Sequence, residues 1–202
     1  MKLMTRTVLA ALALVSTASL ALAAPTTWNI DRNHSEAGFQ VRHFFSKVTG
    51  RFHEVEGTIV FDEADEKAIK VDATAKVASV DTGNEKRDGH LQSPDFFEAE
   101  KNPTLTFKST KVTKAGKGKY KIAGDLTMRG VTKPVVFDAE FLGASDISMD
   151  GQARGAKAGF SATAVVNRKD FGINWNKALD NGGYVLDDNV TITLNVEADK
   201  AK

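Results

Sequence analysis

Apolar and polar residues alternate with a period of two along most of the chain after residue 24. The pattern is clear at Phe39 and Val41, at Ile59 and Phe61, and again from Phe160 onward. Because successive side chains of a strand point to opposite faces, such alternation is typical of strands that bury only one face. We therefore predict an all-β protein of about eight strands.

Mostly short links join these segments, as expected for strands that run antiparallel to their neighbours. Residues 116–118 and 129–130 predict tight turns, whereas residues 143–159 are rich in glycine and predict an irregular connection. A sandwich would satisfy the same pattern, but a closed barrel leaves no unpaired sheet edge. The predicted fold is therefore an eight-stranded antiparallel barrel.

Small residues recur on the apolar faces of the predicted strands, among them Gly124, Ala162 and Ala164. An eight-stranded barrel is either filled by its own side chains or holds one small ligand. Small inward residues favour a ligand cavity, although alanine facing phenylalanine is also how a packed core interlocks. The sequence leaves both interiors open and predicts that Ala162 and Ala164 face the lumen together.

Residues 81–103 interrupt the alternation and have the pattern of short helices. Thr82 followed by Glu85 is a capping-box start, because the hydroxyl and the carboxylate each satisfy a helical N–H group. Ser93 before Pro94 predicts the start of a second helical piece. We therefore expect two short helical pieces between the strands.

The two parts of this helical segment differ in polarity. Arg87 and His90 belong to its charged part, whereas Leu91, Phe96 and Phe97 form its apolar part. A segment with one charged and one apolar part suits a lid over the mouth of the barrel. A plug that merely closes the end of the barrel has the same composition, so both interpretations stand.

The first 23 of the 202 residues have the features of a secretory signal peptide. Lys2 and Arg6 precede an apolar run, and a small-residue site ends at Ala23. We expect residues 24–202 to form one domain that is exported to the periplasm. Without Lys2 and Arg6 the chain is almost neutral, which argues against nucleic-acid binding.

The mature chain has neither cysteine nor a second long apolar run. Thiol chemistry and cysteine-zinc sites are therefore excluded, and the chain does not have the pattern of an integral membrane protein. An exported protein without disulfides depends on its hydrophobic core for stability.

Three groups of residues resemble enzyme motifs. Residues 81–83 match the aspartic-protease triplet, but that chemistry needs two carboxylates and the chain has one triplet. Asp31 near His34 and Ser35 resembles a nucleophile set, yet adjacent residues on a strand point to opposite faces. A metal site would require His34, His43 and His53 to converge, without any supporting helical spacing. We predict no catalytic residue, no metal site and no cofactor.

Several short motifs together resemble the YceI-like polyisoprenoid-binding family of exported bacterial proteins, over most of the mature chain. They are Ile30-Asp31, His34-Ser35, Phe39, Val41 and His43, Arg87-Asp88-Gly89-His90-Leu91, Asp95-Phe96-Phe97, Pro103, Phe107, Gly124-Asp125-Leu126-Thr127, Gly130-Val131-Thr132-Lys133-Pro134, and Arg168 with Asp170-Phe171-Gly172. The resemblance implies a lipocalin-like barrel with a helical segment near its mouth. It also implies a hydrophobic tunnel that holds a long isoprenoid chain or a similar lipid.

We accordingly expect a periplasmic carrier of a polyisoprenoid, an isoprenoid quinone or another long-chain lipid. Arg87 and His90, together with Arg168 or Lys169, are candidates to meet a polar headgroup, and a local ion pair of Arg87 with Asp88 is the alternative. A hydrolase or isomerase acting on a bound lipid, and a structural or stress-related protein with a packed barrel, are the alternative functions. A homodimer is left open.

The residues predicted to contact the lipid are the inward-facing and lid residues of these segments. They are Phe39, Val41, Ile59, Phe61, Ala75, Arg87, His90, Leu91, Phe96, Phe97, Phe107, Leu126, Phe137, Phe160, Ala162, Phe171 and Trp175.

Overall fold

A computed structural model describes residues 25–180 and 182–202 of the protein. The predicted signal peptide therefore lies outside the described residues. The described part contains eleven strands and one α-helix. The strands are β1 (Thr26–Ile30), β2 (Glu36–His43), β3 (Ser46–Phe52), β4 (Val55–Phe61), β5 (Lys70–Lys76), β6 (Val80–Asp81), β7 (Thr104–Gly116), β8 (Lys119–Met128), β9 (Val131–Met149), β10 (Gln152–Asn167) and β11 (Leu186–Lys200), and the helix is α1 (Glu85–Gln92).

The eleven strands occupy eight positions around one closed antiparallel barrel. We call each position a stave, which is one strand or two shorter strands in line. The first three staves are interrupted and consist of β1 with β2, β3 with β4, and β5 with β6. Each stave pairs with the next along the chain, and β1 and β2 pair with β11 to close the ring. The predicted eight-stranded antiparallel barrel is confirmed.

Serine hydroxyls bridge two of the interruptions. Between β1 and β2, Ser35 Oγ donates to the Glu197 carbonyl (3.0 Å) and accepts from its N–H group (3.1 Å). Between β3 and β4, Ser79 Oγ accepts from the Glu54 N–H group (3.0 Å) and donates to the Lys76 carbonyl (2.7 Å). Since backbone groups inside a barrel wall need partners, the hydroxyls replace hydrogen bonds that the interrupted ladder lacks.

The glycine-rich residues 143–159 are not an irregular connection, as the sequence had predicted. They belong to β9 and β10, which continue past the end of β8 and meet at a two-residue turn, Asp150-Gly151. Both turn residues have positive φ (53° and 72°), the geometry that an Asp-Gly hairpin favours. The sequence did not predict strands here because this arm is not buried on one face only and therefore lacks the alternation of apolar and polar residues.

The predicted start of the helix is also corrected. Asn84, not Thr82, caps α1, and its side chain accepts a hydrogen bond from the Arg87 N–H group (3.1 Å). Thr82 instead donates through its hydroxyl to Asp88, which lies in the first turn of α1. The predicted second helical piece is a series of turns after Ser93, because the chain reverses there instead of continuing.

The helix and the turns β2–β3 and β8–β9 lie at one end of the barrel, which we call the upper end. Residues 62–69 and the turns β7–β8 and β9–β10 lie at the opposite, lower end. Among the described residues, no helix is both long and apolar enough to cross a membrane.

The buried side chains form three separate clusters. One lies near the upper end around Phe137 and Phe171, a second lies near the lower end around Trp28 and Tyr120, and a small third surrounds Phe52. A single packed domain usually has one contiguous core. The division indicates that the middle of the barrel is not filled by side chains.

We predict that Ser35→Ala lowers the free energy of unfolding by about 1 to 3 kcal/mol, because the Glu197 backbone groups lose their buried partner. Ser148→Ala is the matched control, since Ser148 is exposed on the β9–β10 arm, and its effect is expected to stay within about 0.5 kcal/mol. Urea unfolding measures both values. Equal effects of the two substitutions would contradict the bridging role of Ser35.

Candidate functional site

A cavity of about 850 Å³ occupies the interior of the barrel. Its walls are the inward faces of the strands, from Leu186 and Trp175 near the upper end to Phe61 and Tyr120 near the lower end. The volume lies within the range of ordinary ligand pockets. The Trp28 cluster packs at its lower end, and the exposed residues Ser46, Asn84 and Lys86 border it at the upper end, so the cavity is a tunnel with an upper opening.

Sixteen of the seventeen residues predicted to contact a ligand line this cavity. They are Phe39, Val41, Ile59, Phe61, Ala75, Arg87, His90, Leu91, Phe96, Phe97, Phe107, Leu126, Phe137, Phe160, Ala162 and Trp175. Phe171 does not line it: this ring is 1% exposed and packs in the upper cluster, on a one-turn 3₁₀ segment after β10. That the sixteen residues contact a ligand stays a prediction.

Further cavity residues were absent from the predicted set. Leu105, Tyr120, Ile122, Phe141 and Ile192 also line the cavity. All five belong to the same period-two alternation, so the signal that finds them was present in the sequence. The alternation shows which face a residue lies on, but not how deep in the barrel it lies. That depth depends on the register between strands.

The small inward residues do not all have the same role. Ala162 borders the cavity, whereas Ala164, two residues along β10 on the same face, is buried in the upper cluster and is not among the lining residues. Gly124 is small because the ring of Phe107 lies against it: a Cβ atom there would come within 2.4 Å of that ring. Small residues therefore serve ring packing in one place and cavity space in another.

The helix α1 borders the upper opening of the cavity. Asn84, Lys86, Arg87 and His90 line the cavity on this side, and Lys86 is also exposed to solvent. The helix therefore lies at the opening of the barrel, a position that both the lid and the plug interpretation predict. The helical segment is polar at the opening and apolar below it, where Leu91 of α1 and Phe97 of the following turns pack against the cores.

The alternative ion pair between Arg87 and Asp88 is not observed in the described part of the chain. Arg87 Nε donates to the Thr82 hydroxyl and Nη2 donates to the Thr82 carbonyl, both at 2.8 Å. Asp88 accepts from the N–H and hydroxyl groups of the same Thr82. The two charged residues hold the entry to the helix through Thr82 instead of pairing with each other.

His90 joins the helix to the aromatic upper rim. Its Nε2 lies 2.8 Å from a carboxylate oxygen of Asp95, and its ring contacts Phe96 and Trp175 edge to face, with centroids 5.0 Å apart in each case. The side chain is partly exposed. His90 is thus positioned at the opening with one ring nitrogen engaged by Asp95.

Arg168 lines the cavity, but its guanidinium group is engaged in structural contacts and not free for a headgroup. It is 3% exposed and donates to the carbonyl groups of Ile173, Trp175 and Asp187, and to the Asp188 carboxylate (2.7–3.1 Å). Burial lowers the pKa of its guanidinium group, and the Asp188 carboxylate opposes that shift. Arg168 therefore fixes the chain segment that presents Trp175 to the cavity.

Lys169, unlike Arg168, is not among the residues that line the cavity. Its ammonium group pairs with Asp188 at 2.8 Å and lies 5.9 Å from the centre of the Tyr184 ring. Of the predicted headgroup candidates, Arg87, His90 and Arg168 line the cavity. Because the Arg168 guanidinium is already hydrogen-bonded within the protein, Arg87 and His90 are the remaining candidates, with Lys86 and Asn84 beside them.

The three histidines proposed for a metal site do not converge. His34 pairs with Asp31 (2.7 Å), His53 pairs with Asp81 (3.0 Å), and the His43 ring stacks edge to face on Phe44. Asp31, His34 and Glu197 do lie together, but the ammonium group of Lys157 already lies within 3.1 Å of both carboxylates. That cluster is a network of ion pairs around a protein cation.

The Asp31 cluster does not form a nucleophile set either. The hydrogen bond with His34 is the largest influence that lowers the pKa of Asp31 to about 2, and the same bond raises the pKa of His34. Ser35 Oγ instead donates to the Glu197 carbonyl. The histidine and the serine therefore serve separate structural contacts.

The aspartic-protease triplet has a structural explanation. The Asp81 carboxylate accepts a hydrogen bond from the Gly83 N–H group (2.7 Å), which is the main cause of its lowered pKa, and it also contacts His53. Gly83 has a φ of 72°, so the triplet turns the chain from β6 into α1. The Asp81 carboxylate therefore stabilises this turn and contacts His53.

Comparison with known proteins gives one consistent result. The model of the YceI-like domain family matches residues 28–198. A UPF0312 protein of Photorhabdus laumondii is 42% identical over 160 residues, which are 79% of this chain and 81% of that protein.

Solved structures with the same fold are also similar to the chain. The crystal structure of the Campylobacter jejuni YCEI protein is 36% identical, with a TM-score of 0.64 over 78% of this chain and 88% of that chain. A polyisoprenoid binding domain from Saccharophagus degradans is 13% identical, with a TM-score of 0.62 over 87% and 99%. At that identity the second similarity concerns the fold alone.

We predict that Arg168→Met lowers the free energy of unfolding by about 2 kcal/mol or more, because buried carbonyl groups lose their donor. Lys169→Met is the matched control: it removes the neighbouring cation, which also pairs with Asp188 but is partly exposed, and should cost less than about 1 kcal/mol. Urea unfolding of both variants decides between them. If Arg168→Met were as mild as its control, the Trp175 segment would not depend on this guanidinium.

Proposed function

Since the chain belongs to the YceI-like domain family, we propose that it binds a polyisoprenoid, an isoprenoid quinone or a similar long-chain lipid inside the barrel. The observation that supports this most directly is the largely apolar tunnel of about 850 Å³. A hydrocarbon chain has no hydrogen-bonding needs, and each buried CH₂ group contributes about 0.8 kcal/mol. The Saccharophagus degradans domain, which shares the fold, is named for polyisoprenoid binding.

The distribution of side chains along the tunnel supports one orientation of the lipid. Aromatic pairs line its length, including Phe107 with Phe137 and, deeper, Phe61 with Phe141. The cationic side chains of the lining lie toward the upper end, where Lys86 is exposed and Arg87 Nη1 has no acceptor among the described residues. The lipid tail enters first, and an oxygen-bearing headgroup stays at the opening, where charged donors bind it.

Binding without turnover accounts best for the residues at the opening. His90 and Asp95 form the pair nearest to an acid–base arrangement, but His90 also packs against Phe96 and Trp175 as part of the rim. A hydrolase or isomerase needs a nucleophile or a second acid–base group within reach of the bound lipid. The cavity also argues against the packed-barrel alternative, since side chains leave it unfilled.

We propose that the protein binds its lipid in the periplasm. Export through the signal peptide expected at residues 1–23 would place the barrel in the periplasm, where a lipid that moves between membranes needs a carrier.

We predict that protein exported from its full-length gene and purified without detergent retains a long-chain lipid in about one-to-one ratio. Mass spectrometry of organic extracts identifies the lipid and counts it against protein. A chemically altered lipid that accumulates during incubation would indicate the enzyme alternative. Repeated native preparations without any bound lipid would contradict the carrier proposal.

Replacing each of two alanines by phenylalanine distinguishes a tunnel from a packed core. We predict that Ala162→Phe, in delipidated protein, leaves the free energy of unfolding unchanged or raised, while lipid binding falls sharply because the ring occupies ligand space. Ala164→Phe is the matched control on the same strand face, and overpacking of the upper cluster should cost about 1 to 3 kcal/mol.

Both proteins must be free of lipid, because a bound ligand raises the apparent stability of the wild type. Urea unfolding gives the stability, and mass spectrometry of reloaded protein gives the lipid capacity. Destabilisation of Ala162→Phe to the level of its control, with intact lipid capacity, would falsify the tunnel at this position.

A further inference from the structure

Three exposed aromatic side chains lie together at the upper end of the barrel. Phe44 and Phe45 form the two-residue turn between β2 and β3, and Phe45 is as exposed as in an extended peptide (104%). Tyr184 is 65% exposed and precedes Val185, whose carbonyl accepts from the Phe44 N–H group (3.0 Å). We call Phe44, Phe45 and Tyr184 the aromatic tip.

The turn at the aromatic tip has an unusual sequence for its geometry. Phe44 has a φ of 50°, in the left-handed region that two-residue hairpin turns usually fill with glycine or asparagine. Phe45 buries nothing within its own chain. Phe44 therefore adds backbone strain, and Phe45 adds exposed apolar surface without stabilising the barrel. Such violations of local rules concentrate at functional sites.

The opening of the cavity lies beside the aromatic tip. β3 pairs with β6 only at Arg51 and Phe52, so within the described chain residues 46–50 have no ladder partner on that side. Ser46 and Val48 of this free edge line the cavity, as does Lys86 of α1. We call the gap between residues 46–50 and α1 the portal.

Cationic side chains surround the portal. Lys47 on β3 and Lys86 on α1 are both exposed, and no carboxylate of the described chain lies within ion-pair distance of either. Arg42, on the other side of the turn, pairs with Asp187. Glu85 is the acidic neighbour on the helix, and it does not line the cavity. Lys86, which lines the cavity beside the portal, and Lys47, on the outer face of β3, are thus available to an anionic partner.

We propose that the upper end docks on an anionic lipid bilayer, with the aromatic tip inserted at the headgroup level and Lys47 and Lys86 on the anionic headgroups. Aromatic side chains favour the membrane interface, and each cation near an anionic surface strengthens attachment. In this orientation the portal faces the bilayer. Passage of a lipid through the portal rests on the proposed function, whereas docking itself does not.

The size of the aromatic tip argues against a second copy of the chain as its partner. The exposed parts of the three rings offer about 400 Å² in total, since a fully buried aromatic side chain contributes about 150 to 250 Å². A stable protein interface needs about 800 Å² from each partner. A small protruding apolar group with adjacent cations matches the shallow interface of a bilayer instead.

Vesicle flotation tests this proposal, with protein exported from its full-length gene and its N-terminus verified by mass. Wild-type protein should float with vesicles of phosphatidylethanolamine and phosphatidylglycerol, and much less with phosphatidylcholine alone. Phe45→Ser should reduce the bound fraction about fivefold or more, as should the double variant Lys47→Glu with Lys86→Glu. Phe45 is fully exposed, so its replacement leaves the fold intact.

Matched controls lie at the opposite end of the molecule. Met149→Ser removes an exposed apolar side chain from the β9–β10 arm, and Lys117→Glu with Lys119→Glu reverses two exposed charges near the lower turn. Both should float like wild type.

Docking would be overturned by wild-type protein that does not float, or by variants of the tip that float like their controls. A dimer in solution that Phe45→Ser dissolves would also overturn it, because the tip would then contact a second copy. Mass spectrometry of bound lipid in the same samples is independent of flotation. Protein that docks but contains no lipid would reject the carrier proposal alone, and protein that retains lipid but does not dock would reject the docking proposal alone.

Discussion

Closure of the strand ring between the first and last staves is the constraint on which the remaining structure depends. Once β1 and β2 pair with β11, the number of strands sets the width of the interior. At eight strands that width suits either a filled core or one slender ligand. The choice is then made by side-chain volume, and this chain places enough small residues among its rings to leave a tunnel of about 850 Å³.

The same closure requires compensation where staves are interrupted. Ser35 and Ser79 supply hydroxyl groups to backbone groups that would otherwise be unpaired in the wall. Near the upper end the third stave leaves the sheet after β6, and α1 takes its place without ladder hydrogen bonds. The barrel is therefore continuous at the lower end and open on one side at the upper end, where a ligand could enter.

Charged residues divide into two groups by position. Arg168 and the cluster of Asp31, His34 and Lys157 use their hydrogen-bonding groups within the protein and hold irregular segments in place. Lys86, at the portal, is exposed and has no such ion pair in the described chain. Because both groups contain the same residue types, burial and partners distinguish a structural cation from one available to a ligand.

The sequence by itself determined the eight antiparallel strands, their inward faces and sixteen cavity-lining residues, since alternation is a local property of each strand. It did not reveal that Phe171 is core or that Arg168 is buried, because both depend on chain segments that meet only after the ring closes. The cap at Asn84 and the arm formed by residues 143–159 were likewise decided by the tertiary structure. Local patterns show which way a side chain points, whereas its neighbours and depth are set by strand register and closure.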